Sequence, residues 1–441
     1  MLRTSRVCPP RHLAPEAAAD GHVVTRWLII GGGAAGCVVA SRLSEDPSND
    51  VTVLEAGPDH GPDHAAADVG LFLDDPARWH DDVRVVRRSG GVPEHYWQGR
   101  GLGGSSLLNG PVVVPEPADH DIEHLMPIEP PSVIGEVGRA VMAAVPEARP
   151  VMLSRQDGRR VSAADAYLTP VQDRPNLTVV CDSPAAGLIL DGRAVIGAVT
   201  EAGVEHLADR VVACAGAIRT PALLLASGID TPGVGQGLQD HPAFAITLEL
   251  APEAIDSTVP NIVVTIDRPD TQLLVLNHLP AAPQFGSLIG ALMAPTSIGR
   301  VTVEPVTGSP LVELNELDTE ADIERLTDLA AEALDLVAHP AIRSVAPRAF
   351  VDDRGTPAES LVGDRERIRA WLLAHLTGYH HVAGSCRRGV VTDEWGAVDG
   401  YSGLFVGDAS LFDGVPAINP YLSVITLAER LAARWSDSPP T

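Results

Sequence analysis

Trp27-Leu28-Ile29-Ile30-Gly31-Gly32-Gly33-Ala34-Ala35-Gly36 is an apolar run that enters a G-x-G-x-x-G turn, and Glu55 closes a second run, Val51-Thr52-Val53-Leu54. Strand, glycine turn, helix and strand in that order form the dinucleotide-binding fingerprint. Gly31 allows the tight turn, Gly33 lets the backbone approach a pyrophosphate, and Gly36 lets the helix pack on the strand. Ala34 and Ala35 begin the helix, whose free N–H groups and partial positive charge face the phosphates. A carboxylate at Glu55, followed by Ala56, suits a ribose 2′-hydroxyl and disfavours a 2′-phosphate. The spacing therefore predicts NAD or FAD rather than NADP.

The rest of the composition narrows the class. At 441 residues the chain exceeds what one hydrophobic core usually holds, so two domains are expected. A net charge of −26 repels nucleic acid and anionic membranes, which excludes both as partners. No apolar stretch has the length of a membrane span. The five cysteines are dispersed, with no metal-like pairing with histidine, so no metal is predicted and a reducing, cytoplasmic location is expected. Residues 1–24 are read as a disordered extension or an over-called start.

Along the chain, a helix is expected from Ala35 to Ser44, and residues 57–95 read as a long loop. A second glycine cluster follows, Gly101-Leu102-Gly103-Gly104-Ser105-Ser106, with Asn109-Gly110 after it. Residues 115–150 suggest a small peripheral insertion. Strands are predicted at 177–180, 187–190, 195–199 and 210–216, with Asp191-Gly192 turning a hairpin. A helix is expected to start at Thr220-Pro221. Alternating residues over 246–315 predict an antiparallel sheet with one covered face, and helices follow at 323–337 and 423–435. Asp408 ends a short apolar strand, where its carboxylate can accept from ribityl hydroxyls.

Six stretches in this order resemble the glucose–methanol–choline (GMC) flavin oxidoreductases from about residue 25 to 436. They are the opening turn with Glu55; Gly101 to Gly110; Cys214-Ala215-Gly216-Ala217-Ile218-Arg219-Thr220-Pro221; Gly233 through Leu238-Gln239-Asp240-His241-Pro242; Tyr379-His380-His381-Val382-Ala383-Gly384-Ser385-Cys386; and Gly407-Asp408-Ala409-Ser410 with Asn419-Pro420-Tyr421-Leu422. The resemblance implies an α/β fold: a Rossmann-like FAD-binding domain (25–120, 151–245 and 376–436) with a discontinuous, reduced antiparallel-sheet substrate domain (121–150 and 246–375). It implies bound FAD. A backbone lying beside a planar ring explains Gly103-Gly104, with Ser105, Ser106 and Asn109 as polar contacts and Ala215, Gly216, Asp408, Ala409, Pro420, Tyr421 and Leu422 near the cofactor. Leu108 stands where some members carry a flavin-linked histidine, so attachment is expected to be non-covalent.

The activity so implied is oxidation of an alcohol. His381, three residues before Gly384, is the expected proton acceptor, and Asn419 the partner of the substrate oxygen. His380 is the weaker alternative to His381, and His241, in its Asp-His-Pro turn, is read as holding loop structure. Histidines 60, 64, 80, 95, 120 and 124 are read as solvated. Ser385, Arg388 and Gly237 depart from the usual threonine, methionine and asparagine. A flavin-containing lyase of the same fold and a degenerate flavoprotein serving as a binding or electron-carrying partner remain rival readings. The short length and composition point to the compact branch associated with the peptide-derived redox cofactor mycofactocin in actinobacteria, a mycofactocinol dehydrogenase feeding a respiratory acceptor. The identity of the alcohol stays open, as does the electron acceptor: oxygen, quinone or carrier.

Overall fold

The computed structural model describes residues 24–61, 78–80, 82–114 and 126–437; the N-terminal extension and His64, His120 and His124 lie outside them. Five parallel strands form the first sheet, in the order Leu177–Val180, Asn49–Leu54, Thr25–Ile30, Arg210–Ala213 and Leu404–Val406. Numbered along the chain this is 3-2-1-4-5, so strand order reverses between Thr25–Ile30 and Arg210–Ala213. Ligands of such sheets bind outside the carboxyl ends of the strands at that reversal. Gly31, Glu55, Cys214 and Gly407 each directly follow one of these strands.

The helix Ala34–Leu43 packs on the sheet with seven consecutive buried residues, Ala35 to Ser41. The C-terminal helix Tyr421–Asp437 joins it through Trp435, which stacks on Trp27 with ring centroids 5.9 Å apart. Asn419 is thus delivered by a helix anchored on the first strand.

A second sheet is antiparallel: Arg348–Phe350, Pro242–Glu249, Phe285–Leu292, Thr271–Leu276, Ile262–Asp267 and Arg149–Pro150 in order, with Thr377–Gly378 added beside Pro242–Glu249. One face is covered by the helices Gly135–Ala144, Glu320–Ala338 and Arg365–His375, which share a core with Phe244, Leu273 and Val275. The stretch expected to be peripheral is therefore part of this layer: Val137, Ala140 and Val141 are buried in it.

The structure bears on two expectations. The helix predicted to start at Thr220-Pro221 starts at Gly216, and Pro221 lies inside it. Proline has no N–H for the carbonyl four residues back, and the Ser385 hydroxyl bonds that carbonyl, Ala217 O, at 2.5 Å instead. A hydroxyl at 385 thus repairs the helix. The second glycine cluster does not need a ring to explain it: Gly103 N donates to Gly32 O at 2.7 Å, and a Cβ on Gly104 would stand 2.8 Å from Gly33 Cα. The two glycine turns pack backbone to backbone.

Gly104, at φ +56°, also has left-handed backbone. Gly104→Ala is expected to cost about 1–3 kcal/mol by overpacking and to lower the FAD content of the purified protein. Urea midpoints and the flavin-to-protein absorbance ratio measure both.

Candidate active site

At the nucleotide end, the helix Ala34–Leu43 has no side-chain cap, and around Gly33 the nearest neighbour of a Cβ would be Gly104 Cα at 4.0 Å. The first-turn N–H groups therefore face open space, the arrangement that takes a phosphate. Glu55 is buried, and burial raises its pKa against the amides that it accepts: Gly32 N at 2.8 Å on Oε2, and Gly57 N at 2.9 Å and Gly101 N at 3.1 Å on Oε1. Its carboxylate ties both glycine turns together and keeps one acceptor position on Oε2 for a ribose hydroxyl. Gln98, not singled out in the sequence, lies beside Gly216, and its Oε1 is buried with no partner among the described residues. An uncapped helix, an open Gly33 and an unpaired amide together fit a bound dinucleotide.

Other expected cofactor contacts are redirected. Asp408 accepts four bonds, Gly216 N (2.7 Å) and Thr220 Oγ1 (2.5 Å) on Oδ2, and Ser410 N (2.8 Å) and Oγ (2.6 Å) on Oδ1. Its carboxylate caps the turn at Ala409–Leu411. Ser106 Oγ donates to Gly103 O, and Asn109 Oδ1 accepts from Arg160 at 2.7 Å, so both brace the loop. Ser105 Oγ accepts from Gly99 N. Asn109 and Gly110 are half-buried, as are Ala215, Gly216 and Ala409 beside the strand ends, whereas Tyr421 and Leu422 are buried behind Pro420. Leu108 is buried in a small apolar cluster with Leu107 and Trp79.

The opposite end is built on three consecutive residues. Gln239 Nε2 donates to Pro295 O and Ser297 O, while its Oε1 accepts from Val415 N. Asp240 accepts from His241 N (2.8 Å), His381 N (2.7 Å) and the Tyr96 hydroxyl (2.9 Å). His241 is fully buried; its Nε2 bonds Pro416 O at 3.0 Å and its Nδ1 meets His381 Nδ1 at 2.9 Å. A carbonyl only accepts, so His241 carries its proton on Nε2 and its Nδ1 is the acceptor. His381 must then be protonated on Nδ1, which leaves its Nε2 lone pair free; Nε2 has no partner among the described residues. The structural role read for His241 is thus extended: it selects the tautomer of the expected base.

Burial, reinforced by His241 and His380, holds His381 well below the usual histidine value, so it is neutral at pH 7. Burial brings His241 and His380 to about 4. His380 sits at φ +62° with its ring 4.7 Å from Tyr96. Beneath it, Arg87 pairs with Glu94 and with buried Glu316 (3.0 Å), whose carboxyl burial pushes up to about 8. Gly237, the departure from asparagine, has left-handed backbone at φ +91°, a conformation that glycine favours.

Asn419 is buried, and its Oδ1 accepts from Gln272 Nε2 at 2.9 Å. Gln272 Oε1 takes the Tyr379 hydroxyl (2.8 Å), and the Tyr379 ring stands edge-on to His381 at 4.9 Å. His381 and Asn419 are therefore joined through Tyr379 and Gln272. The signal for Gln272 was an amide side chain in the strand Thr271–Leu276, whose last four residues are all apolar. The histidines read as solvated differ: His60 bonds Arg100 O, burial holds His80 at about 3, and His95 packs against Trp97. Among the described residues no group of three or more His, Cys, Asp or Glu side chains could hold a metal, and no helix is long and apolar enough to cross a membrane.

A 3-2-1-4-5 sheet with a dinucleotide cradle, facing a histidine and an amide under an antiparallel sheet, defines a flavoprotein oxidoreductase of two layers. Models of GMC oxidoreductase match residues 147–243 and 295–428, and one of an NAD(P)-binding Rossmann-like domain matches 29–85. The chain belongs to the GMC oxidoreductase family, whose members bind FAD. It is 27% identical to an uncharacterized GMC-type oxidoreductase of Rhodococcus erythropolis (92% of this chain, 97% of the relative). It is 26% identical, over the same shares, to the 5-(hydroxymethyl)furfural oxidase of Methylovorus sp.. The crystal structure of pyridoxine 4-oxidase from Mesorbium loti superposes with a TM-score of 0.83 at 25% identity, covering 94% of this chain and 100% of that one.

The buried neutral histidines make stability pH-dependent. Their folded values lie below the unfolded value of about 6.5, so their contribution is complete above it and declines as pH falls toward about 4. The slope should approach about 1.4 kcal/mol per pH unit for each histidine. Urea denaturation between pH 7 and 4 should show this slope, and His380→Asn should remove one histidine's share.

Proposed function

We propose that this protein is an FAD-dependent oxidoreductase that oxidises an alcohol to a carbonyl. The observation that carries the reading is the free Nε2 lone pair of His381, left as a neutral base by the bond from its own Nδ1–H to His241. The relatives named for oxidising 5-(hydroxymethyl)furfural and pyridoxine support an alcohol as the donor. When bound, FAD supplies the hydride acceptor, N5 of its ring system. The glycine turns, Glu55 and the neighbourhood of Gly216 and Gln98 would hold it. Leu108 offers no nucleophile, which supports non-covalent attachment.

His381 Nε2 takes the proton of the substrate hydroxyl as hydride leaves the carbon, and Asn419 Nδ2 donates to the same oxygen as it gains charge. Asp240 holds the His381 backbone at one point while His241 fixes the ring's protonation, so the base needs no reorganisation before it acts.

Removing a positioned base typically costs about 10²–10⁴-fold. His381→Ala should therefore keep the yellow flavin spectrum and lose most anaerobic bleaching by a panel of alcohols, followed by stopped-flow absorbance. Undiminished bleaching in the variant would refute the assignment. Consumption of the alcohol with the flavin still oxidised would indicate a lyase.

A further inference from the structure

We infer that Gln272 is a positioning residue for Asn419, turning the amide so that its N–H groups rather than its carbonyl face the substrate oxygen. This rests on the alcohol-oxidising reading above and extends it to a residue outside the motifs.

The argument begins with Asp267. A carboxylate only accepts, so the Gln272 atom 2.6 Å from Asp267 Oδ1 is Nε2. That fixes Oε1 as the atom bonded to the Tyr379 hydroxyl. The second proton on Nε2 points at Asn419, and the Asn419 atom that meets it at 2.9 Å is therefore Oδ1. Asn419 Nδ2 is left on the other side, with no partner among the described residues and not sealed from solvent. The opposite orientation would set N–H against N–H inside a buried pocket.

Asp267 is itself held. It is the cross-strand partner of Gln272 in the hairpin of Ile262–Asp267 and Thr271–Leu276, and it accepts from Thr265 Oγ1 (3.0 Å) and Arg149 Nη2 (2.7 Å). Strand alternation puts Gln272 on the face of Leu274 and Leu276, which pack with Tyr379, whereas Leu273 and Val275 enter the helix-covered core. Gln272 is the polar end of an otherwise apolar face. Burying it costs free energy unless its amide is bonded at both atoms, and the three bonds it makes all serve the site.

The test is a double-mutant cycle on the flavin-loaded protein, with Gln272→Met, Gln272→Glu, Asn419→Leu and the Met/Leu double variant. The probes are the alcohol that bleaches wild type fastest and the aldehyde corresponding to it. An aldehyde oxygen only accepts, so its binding to the oxidised protein, read from the flavin spectrum, reports the Asn419 donor without turnover. Gln272→Met and Gln272→Glu should each slow flavin reduction on the order of tenfold to a hundredfold and weaken aldehyde binding about tenfold. The fall in the reduction rate should exceed the rise in the alcohol KM, and neither loss should recur in the Asn419→Leu background. Gln272→Glu keeps an acceptor for Tyr379 and covers the case in which Gln272→Met fails to fold.

Full additivity with Asn419→Leu, or wild-type aldehyde affinity in a folded Gln272 variant, overturns the inference alone. If Asn419→Leu itself leaves reduction and aldehyde binding unchanged, the role of Asn419 fails and Gln272 with it. If no alcohol bleaches wild type, it is the alcohol-oxidising reading that falls.

Discussion

The site depends on one buried carboxylate. Asp240 is 2% exposed and takes three donors: the amides of His241 and His381 and the hydroxyl of Tyr96. Burying a charge costs several kcal/mol unless hydrogen bonds and opposite charge offset it. The three donors do so here, with Arg87 close enough to feel the charge. Because one oxygen, Oδ1, receives both histidine amides, residues 140 apart in sequence are brought to a shared point and their rings meet at 2.9 Å. The left-handed backbone of His380 belongs to the same constraint, since it turns the chain so that the next amide reaches Asp240.

Much of the fold could be read from the chain because its signals are local. The G-x-G-x-x-G turn, the apolar strands and the Asp191-Gly192 hairpin each specify structure within about ten residues. His381 and Asn419 were singled out through the family resemblance, and in the structure Tyr379 and Gln272 link them. What local pattern does not carry is the partner of a polar group. Glu55 and Asp408 both end parallel strands, where a carboxylate can meet a ligand hydroxyl or a neighbouring backbone amide. Glu55 holds two glycine turns and Asp408 holds the start of the helix Gly216–Ala226. Gly104 answers to Gly33 for the same reason. Asp240, Gln98 and Gln272 act across more than a hundred residues of sequence, and no spacing encodes that.

The departure at Ser385 follows from packing between such distant pieces. Pro221 inside a helix leaves the Ala217 carbonyl without an intrahelical donor, and Ser385, from the segment after the histidine pair, supplies the hydroxyl. The segment that carries His381 is thereby fastened to the helix Gly216–Ala226. Threonine and serine both offer that hydroxyl, so the exchange at 385 conserves the bond. Arg388 is exposed, and nothing in the structure explains its presence.

On the proposed alcohol-oxidising function, the two orientation devices converge on one chemical consequence. His241 makes His381 present a lone pair, and Gln272, on the proposed reading, makes Asn419 present N–H groups. A hydroxyl both donates and accepts at a single oxygen and satisfies the two together. A carbonyl oxygen only accepts, so it is held by both groups while His381 Nε2 still carries the abstracted proton. Once that proton leaves, the carbonyl faces a lone pair and keeps one bond instead of two. The same tautomer that equips His381 to take the proton therefore weakens the hold on the product. On that reading, discrimination between alcohol and carbonyl follows from the direction of two hydrogen bonds.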